Sequence, residues 1–288
     1  MSMNSEPSSV FANVGDTAGK TYMLHFLPNF IVAFNTVSVI LNCSVILKAV
    51  YHYDETSNAT RPYLMMMHLP FVHNQPVYLI VILLQFSYLL VLTAAATTIN
   101  SVLIILVQYL SGQIDVICKS LMQMSQRQNE RMANVTMVKE IIRKHQNVIT
   151  FSENIESLYT YIALILLLLN TLIICGLGFI LVTSMGSPNS TKMLIKNLLF
   201  YCAINMETFV FCFAGEYISA KSKEIGEAAY SSPWYQSKFH GSAVLFLIMR
   251  SQNQLTITMG KFLDLSLERF STIVKASASY LSVLLALY

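Results

Sequence analysis

The chain has 288 residues, of which 55% are hydrophobic and only 11% are charged, and its mean hydropathy is +0.55. Soluble domains carry about 25% charged residues, so this composition excludes an ordinary water-exposed surface over much of the chain. The net charge of +3 is small, and without Lys/Arg-rich runs it gives no support for a nucleic-acid partner. We therefore expect an integral membrane protein.

Five apolar stretches are long enough to cross a bilayer, whose hydrocarbon core requires about 20 residues of helix. We name them segments A to E in chain order: Phe26–Val50, Val77–Ser111, Leu158–Val182, Met193–Ala214 and Phe270–Tyr288. The predicted fold class is all-α, a polytopic helical membrane protein with about five transmembrane helices and a cytoplasmic helical anchor region. The polar residues 1–25 contain no apolar run of the kind found in a cleavable signal peptide.

Segment B contains no charged residue, glycine or proline. Its length corresponds to a helix of about 50 Å, whereas the hydrocarbon core is about 30 Å thick, so we expect its second end to leave the lipid. The region that follows, 112–157, is polar but carries apolar residues at helical spacing, which predicts helices beside the membrane. A solvated connector without a partner fits the same periodicity.

The basic residues predict the orientation of the chain. Most of them lie in the B–C and D–E connections: Lys119, Arg127, Arg131, Lys139, Arg143 and Lys144 in the first, and Lys221, Lys223, Lys238, Arg250, Lys261 and Arg269 in the second. The positive-inside rule places both connections and the N-terminus in the cytoplasm, and the C-terminus outside. The predicted organisation is a cytoplasmic segment 1–25, membrane helices in 26–111 with an outer loop 51–76, a cytoplasmic region 112–157, membrane helices in 158–214, a cytoplasmic region 215–265 and a terminal helix 266–288.

The last third of the chain contains a series of short motifs. They are Phe211-Cys-Phe-Ala-Gly215, Ala228-Ala-Tyr-Ser-Ser-Pro-Trp-Tyr235, Met249-Arg-Ser-Gln252, Leu255-Thr-Ile-Thr258 and Leu265-Ser-Leu-Glu-Arg-Phe270. Their order and spacing resemble the C-terminal signature of insect odorant receptors. Upstream, Pro70-Phe71, Pro76-Val-Tyr78, Gln85 and Gly112-Gln113 are similar to other parts of that family. Two departures are Gln254, where the family usually has proline, and Met259, where it usually has a small residue.

The resemblance implies a family of seven-helix receptors in which segments A to E correspond to the third through seventh helices. The first two helices would then be absent, as in a partial gene model, a splice form or a decayed copy. The implied function is that of a subunit of an odorant-gated, non-selective cation channel in the plasma membrane of olfactory neuron dendrites. Its implied partners are an odorant small molecule, membrane lipid and an obligate co-receptor, in a tetramer whose cytoplasmic bundle supplies most inter-subunit contact.

In the same family the last helix lines the pore, and its hydrophobic constriction matches Val283 and Leu287 by position. These two residues are four apart and share one helical face. Apolar side chains close a pore by excluding water. The alternative is that both residues face lipid or a neighbouring helix.

An odorant pocket needs apolar walls with a few polar groups. The candidates in the membrane segments are Asn42, Tyr78, Gln85, Tyr88, Tyr201 and Glu207. Tyrosines near a membrane surface are more often interfacial anchors than ligand contacts. Glu207 stands where the family commonly has Gln, which implies a polar position that faces the interior. The interpretation that we favour is a protonated Glu hydrogen-bonded to a neighbouring helix, without a role in ligand binding or conduction.

No HExxH, GxSxG, P-loop or GxGxxG motif is present, so we predict neither an enzyme nor a cofactor or metal site. A G-protein-coupled receptor would place its N-terminus outside, opposite to the charge distribution. A gustatory receptor would usually end with a TYhhhhhQF-like run, which this C-terminus lacks. A transporter would show interrupted helices, whereas segment B is unbroken.

Overall fold

The computed structural model describes fifteen residues from Tyr22 to Ser44, and then Gln75–Gln126, Arg131–Ser184, Thr191–Ser232, Trp234 and Lys238–Leu287. These residues form five helices and one short hairpin, and the described residues of segment A are also helical. The elements are α1 (Gln75–Gln126), α2 (Arg131–Ser184), α3 (Thr191–Ser231), α4 (Lys238–Ser251), β1 (Thr258–Met259), β2 (Leu263–Asp264) and α5 (Leu267–Leu287).

Three helices in the described part of the chain are long and apolar enough to cross a membrane: Pro76–Gln123, Val135–Ile180 and Asn197–Ser231. They cover all of segment B and most of segments C and D. In the most apolar window of the first, only 11% of the residues are buried within the chain. So large an apolar surface requires lipid or a protein partner around it. The predicted fold class, a helical membrane protein, is confirmed.

The membrane helices continue well beyond the predicted segments. The 52 residues of α1 and the 54 residues of α2 correspond to about 80 Å each at 1.5 Å per residue, far more than the ~30 Å hydrocarbon core. Segment D, predicted to end at Ala214, is the first part of α3, which ends only at Ser231. Pro233 follows two residues later and disfavours helix at the residue before it.

The chain divides into two compact units, one of residues Met23–Val102 and one that includes Leu103–Tyr288. In the first, Tyr78 and Ile82 form a buried apolar cluster on α1, and Asn35 donates a 2.8 Å hydrogen bond to the Thr97 hydroxyl. This bond joins the helical residues of segment A to α1.

In the second unit, α1, α2 and α3 bury residues at alternating spacings of three and four. These residues lie both in the membrane segments and in the parts of the three helices that we call the extensions, residues 112–126, 131–157 and 215–231. This spacing is that of helices packed side by side along a continuous seam. The buried positions are 103, 107, 110, 114, 117 and 121 on α1; 138, 141, 145, 148, 152, 155 and 159 on α2; and 211, 214, 218, 221, 225 and 228 on α3. The core of this unit therefore continues from the membrane segments into the extensions.

Two glycines of α3 permit close approach of neighbouring chain segments. A β-carbon added at Gly226 would lie 2.5 Å from the Ser251 hydroxyl oxygen at the end of α4, and one added at Gly215 would lie 2.6 Å from Leu265 Cβ. Such distances are shorter than real contacts of β-carbons. Both positions therefore require glycine for packing.

The β1–β2 hairpin was not predicted from the sequence. Its two strands pair antiparallel, Thr258 with Asp264 and Met259 with Leu263. At the turn, Phe262 N donates to Met259 O at 3.2 Å, and both central residues, Gly260 and Lys261, have positive φ of 62° and 63°. Two central residues with positive φ are typical of a type I′ turn.

Candidate functional site

Helix α5, predicted to line the pore, packs on one face against α2 and α3. The Phe270 and Phe209 rings lie 5.5 Å apart, edge to face, and a β-carbon added at Gly178 would lie 3.3 Å from Leu281 Cδ2. Ser277, on the same face, is buried and donates to Ile273 O. These contacts fix which side of α5 remains open.

Val283 lies on the open side of α5, with 55% of its surface exposed. At 3.6 residues per turn it is about 140–160° around the helix from Phe270 and Leu281. Leu287 is the last residue of α5, and its side chain lies outside the described residues. The packing therefore leaves the face of Val283 free for lipid, for a pore or for a partner.

The predicted ligand contacts on α1 separate into two groups. Tyr78 and Gln85 are buried, at 2% and 7% exposure, and lie on the same helical face as Ile82. Tyr88 is 55% exposed and lies off that face. Asn42 lies outside the described residues. Two of the candidates, Tyr78 and Gln85, therefore share one buried face of α1.

On α3, Glu207 lies beside a polar contact between α2 and α3. The Asn170 amide donates to the Thr208 hydroxyl at 3.2 Å, and the Asn170 side chain also hydrogen-bonds the Glu207 carboxyl. Tyr201 is half-buried, and its carbonyl accepts a bond from the Asn205 side chain. The structure therefore places Glu207 at a helix–helix contact, where an intramembrane carboxyl finds the partner that it needs.

A cavity of about 170 Å³ lies between α1 and α2. It is lined by Tyr109, Leu110, Gln113, Lys144, Asn147, Val148 and Phe151. None of these is a predicted ligand contact. Its volume is below the roughly 300–1,000 Å³ of pockets that enclose drug-sized ligands.

A ladder of polar contacts joins α1 to α3 and was missed from the sequence. The Ser111 and Tyr217 hydroxyls lie 3.0 Å apart. One turn further along both helices, Lys221 Nζ lies 2.9 Å from Asp115 Oδ1, and it also binds Glu224 at 2.8 Å. The matching four-residue intervals on the two helices were the available signal, but the partners are 106 residues apart in the chain.

The comparisons with known proteins agree on one family. A model of the family described as "7tm Odorant receptor" matches residues 17–278. Odorant receptor 67c of Drosophila melanogaster is 27% identical over 165 residues, which are 56% of this chain and 39% of that protein. Odorant receptor 10 of Aedes albopictus is 29% identical over 157 residues, 54% of this chain and 40% of that protein. The chain thus spans less than half the length of these curated relatives.

Solved structures show the same fold. The insect olfactory receptor OR5 from Machilis hrabei, in complex with eugenol, is 17% identical with a TM-score of 0.63, covering 98% of this chain and 69% of that one. The same receptor without a named ligand gives a TM-score of 0.62 at 16% identity. The family is one of receptors rather than of enzymes, and its members are multi-pass membrane proteins. Because the family model matches most of its length, the chain belongs to the 7tm odorant receptor family.

Proposed function

We propose that this chain is the odorant-binding subunit of a non-selective cation channel that it forms with a co-receptor. The observation that carries the proposal is the family match over residues 17–278. It is supported by α5, a 21-residue helix whose packed side faces α2 and α3 and whose open side carries Val283. The whole assembly would be a hetero-oligomer, most simply a tetramer.

The gate in this proposal consists of Val283 and Leu287 near the outer end of α5. Rings of apolar side chains close a pore by excluding water, and they open when the helices separate. The open face of Val283 supports the assignment, because a residue packed against its own subunit has no access to a central pore.

The ligand in this proposal is a small apolar volatile molecule. The buried face of α1 with Tyr78 and Gln85 offers one hydroxyl and one amide among apolar side chains, the composition of a pocket that orients a mostly apolar ligand. Asn42, Tyr88 and Tyr201 remain candidate wall residues. Glu207, bonded to Asn170, has a structural role in this scheme.

The topology in this proposal has the N-terminus in the cytoplasm and the C-terminus outside, in the plasma membrane of an olfactory neuron dendrite. The distribution of Lys and Arg supports it. The extensions of α1 to α3 and the helix α4 then lie in the cytoplasm. Their exposed apolar side chains, such as Phe246 (71% exposed) and Tyr230 (73%), support a protein partner there.

The test is co-expression of the chain with an insect co-receptor in a cell line without native odorant receptors. A panel of apolar volatiles that includes eugenol, the ligand named for the solved receptor, should evoke a current that reverses near 0 mV when sodium or potassium carries it. Cells with the co-receptor alone and cells with the chain alone are the controls. A chain that reaches the cell surface and adds no response beyond the co-receptor control contradicts the proposal.

A further inference from the structure

The β1–β2 hairpin is held against α2 by a compact set of hydrogen bonds. The Thr258 hydroxyl donates to Glu156 Oε1 at 2.7 Å, and the Thr160 hydroxyl lies 2.8 Å from both Thr258 O and Thr258 Oγ1. The Gly260 amide donates to Thr160 O at 3.1 Å. We name Glu156, Thr160 and Thr258 the hairpin latch.

The proton positions in the hairpin latch follow from counting donors. A threonine hydroxyl has one proton, and that of Thr258 is used on the Glu156 carboxylate. Thr160 must therefore be the donor to Thr258, with its single proton directed at the carbonyl or the hydroxyl oxygen. Because Glu156 and Thr160 are one helical turn apart, both face the hairpin from the same side of α2. The substitution Thr258→Val removes the donor to Glu156 and one acceptor for Thr160 without changing the side chain's shape.

The other side of the hairpin is held by α3. Leu265 packs on Gly215, as described above, and the Leu255 amide donates to the Ser222 hydroxyl at 3.1 Å. The Ser219 hydroxyl lies 2.6 Å from the Gln254 side-chain oxygen. The hairpin and the residues that flank it thus contact both α2 and α3, so they are expected to move with these helices rather than independently.

Helix α5 begins directly where the hairpin ends. Ser266 follows Leu265 and caps the helix: its hydroxyl accepts from Arg269 N at 3.3 Å, and its carbonyl accepts from Phe270 N at 3.1 Å. A Ser at this position satisfies helix N–H groups that have no partner within the helix. No flexible linker separates the latch from the helix that carries Val283.

We propose that the hairpin latch is the coupling element of this receptor: Thr258, fixed by Glu156 and Thr160, transmits displacement of α2 and α3 to the inner end of α5. This inference rests on the proposed function of the chain as a channel subunit. Glu156 and Thr160 flank the start of segment C, so the latch lies where α2 is predicted to leave the membrane. Here the three residues are positioning residues, which set how strongly ligand binding moves the gate and do not contact the ligand.

The experiment compares Thr258→Val with Thr258→Ser, which keeps the hydroxyl. The matched control is Thr183→Val, because within the described residues the exposed Thr183 hydroxyl bonds only to carbonyls of its own helix. Two measurements are made on each: hydrogen exchange of the Gly260 and Leu265 amides in detergent-purified protein, and maximal odorant-evoked current with the co-receptor, divided by surface expression.

Thr258→Val should speed exchange of the two amides about tenfold, the effect of losing bonds of ordinary strength, and should lower the maximal current several-fold. Thr258→Ser and Thr183→Val should match the wild type in both measurements. Because the Thr160 and Thr258 hydroxyls contact each other, Thr160→Val combined with Thr258→Val should speed exchange by less than the product of the two single effects.

Unchanged exchange in Thr258→Val would refute the latch itself. Faster exchange with an undiminished evoked current would refute the coupling role. If Thr258→Val fails to reach the surface, Glu156→Gln, which keeps an oxygen acceptor but removes the charge, must lower the evoked current for the proposal to stand. Failure of the proposed function is a separate result: the wild-type chain would give no odorant current, whereas the exchange measurement would still report on the latch.

Discussion

Gly215 on α3 and Leu265 at the end of the hairpin lie in direct contact, with no room between them for a β-carbon. An added carbon at Gly215 would lie 2.6 Å from Leu265 Cβ and 3.0 Å from its carbonyl carbon. Backbone atoms cannot rotate away as the end of a flexible side chain can. This contact fixes the hairpin, and through it the start of α5, against α3.

We therefore expect Gly215→Ala to destabilise the protein by about 1–3 kcal/mol, the usual range for overpacking, and to lower its midpoint of thermal unfolding in detergent. The control is Gly112→Ala, where an added carbon meets nothing within 4 Å. Alanine in place of glycine should stabilise the helix there by about 0.5–1 kcal/mol, because alanine loses less conformational entropy on folding. Equal melting temperatures for Gly215→Ala and the wild type would show that the hairpin adapts easily.

The Lys221 side chain provides a second prediction, since it bonds to carboxylates on two helices and is only 9% exposed. Lys221→Met should cost about 1–3 kcal/mol, because Asp115 and Glu224 would lose their shared cation. Asp115 is 46% exposed, so water limits the loss. Lys223→Met, at an exposed position on the same turn, should change stability by less than about 0.5 kcal/mol. The midpoints of thermal unfolding of the two variants test this prediction. Equal decreases in Lys221→Met and Lys223→Met would argue against a structural role for the contacts of Lys221 with Asp115 and Glu224.

The membrane segments B, C and D could be predicted from the sequence because unbroken apolar runs leave few alternatives in a chain with so little charge. The extensions were harder to define, since their buried seam includes polar residues such as His145, Ser152 and Lys221, which interrupt the apolar pattern. The hairpin left almost no local signal, because each strand has two residues. Contacts such as Glu156 with Thr258 join residues 102 apart, and one sequence carries no information on such pairs.

Val283 provides a test of the proposed gate. Replacing it with Asn should raise the basal, ligand-independent current several-fold, because a polar side chain keeps water in a narrow pore that an apolar one would empty. Val283→Ile retains the apolar surface and should keep the basal current low. Whole-cell recording with a pore blocker separates this leak from background. A lipid-facing Val283 would instead leave the basal current unchanged in both variants.

Gln85 and Tyr88 test whether burial on α1 marks the ligand pocket. Gln85→Leu should raise the half-maximal concentration of a hydrogen-bonding odorant about tenfold, equivalent to roughly 1.4 kcal/mol. Tyr88→Phe should shift it by less than Gln85→Leu, because Tyr88 is exposed and lies off the buried face. Dose–response curves for one odorant with a hydroxyl group and one hydrocarbon provide the comparison. A larger shift in Tyr88→Phe than in Gln85→Leu would place the pocket on a different face of α1.

Glu207 tests whether an intramembrane carboxyl serves ligand binding or helix contact. Glutamine keeps an amide that can pair with Asn170, so Glu207→Gln should preserve surface expression, the odorant dose–response curve and the reversal potential. Glu207→Leu cannot form that bond and leaves Asn170 with one partner fewer, at a cost of about 1–3 kcal/mol, which should appear as reduced surface expression. Asn170→Leu should reproduce that loss if the two side chains act through the same contact. A shifted reversal potential in Glu207→Gln at normal expression would instead mean that the carboxyl faces the ion pathway, because only the charge has changed.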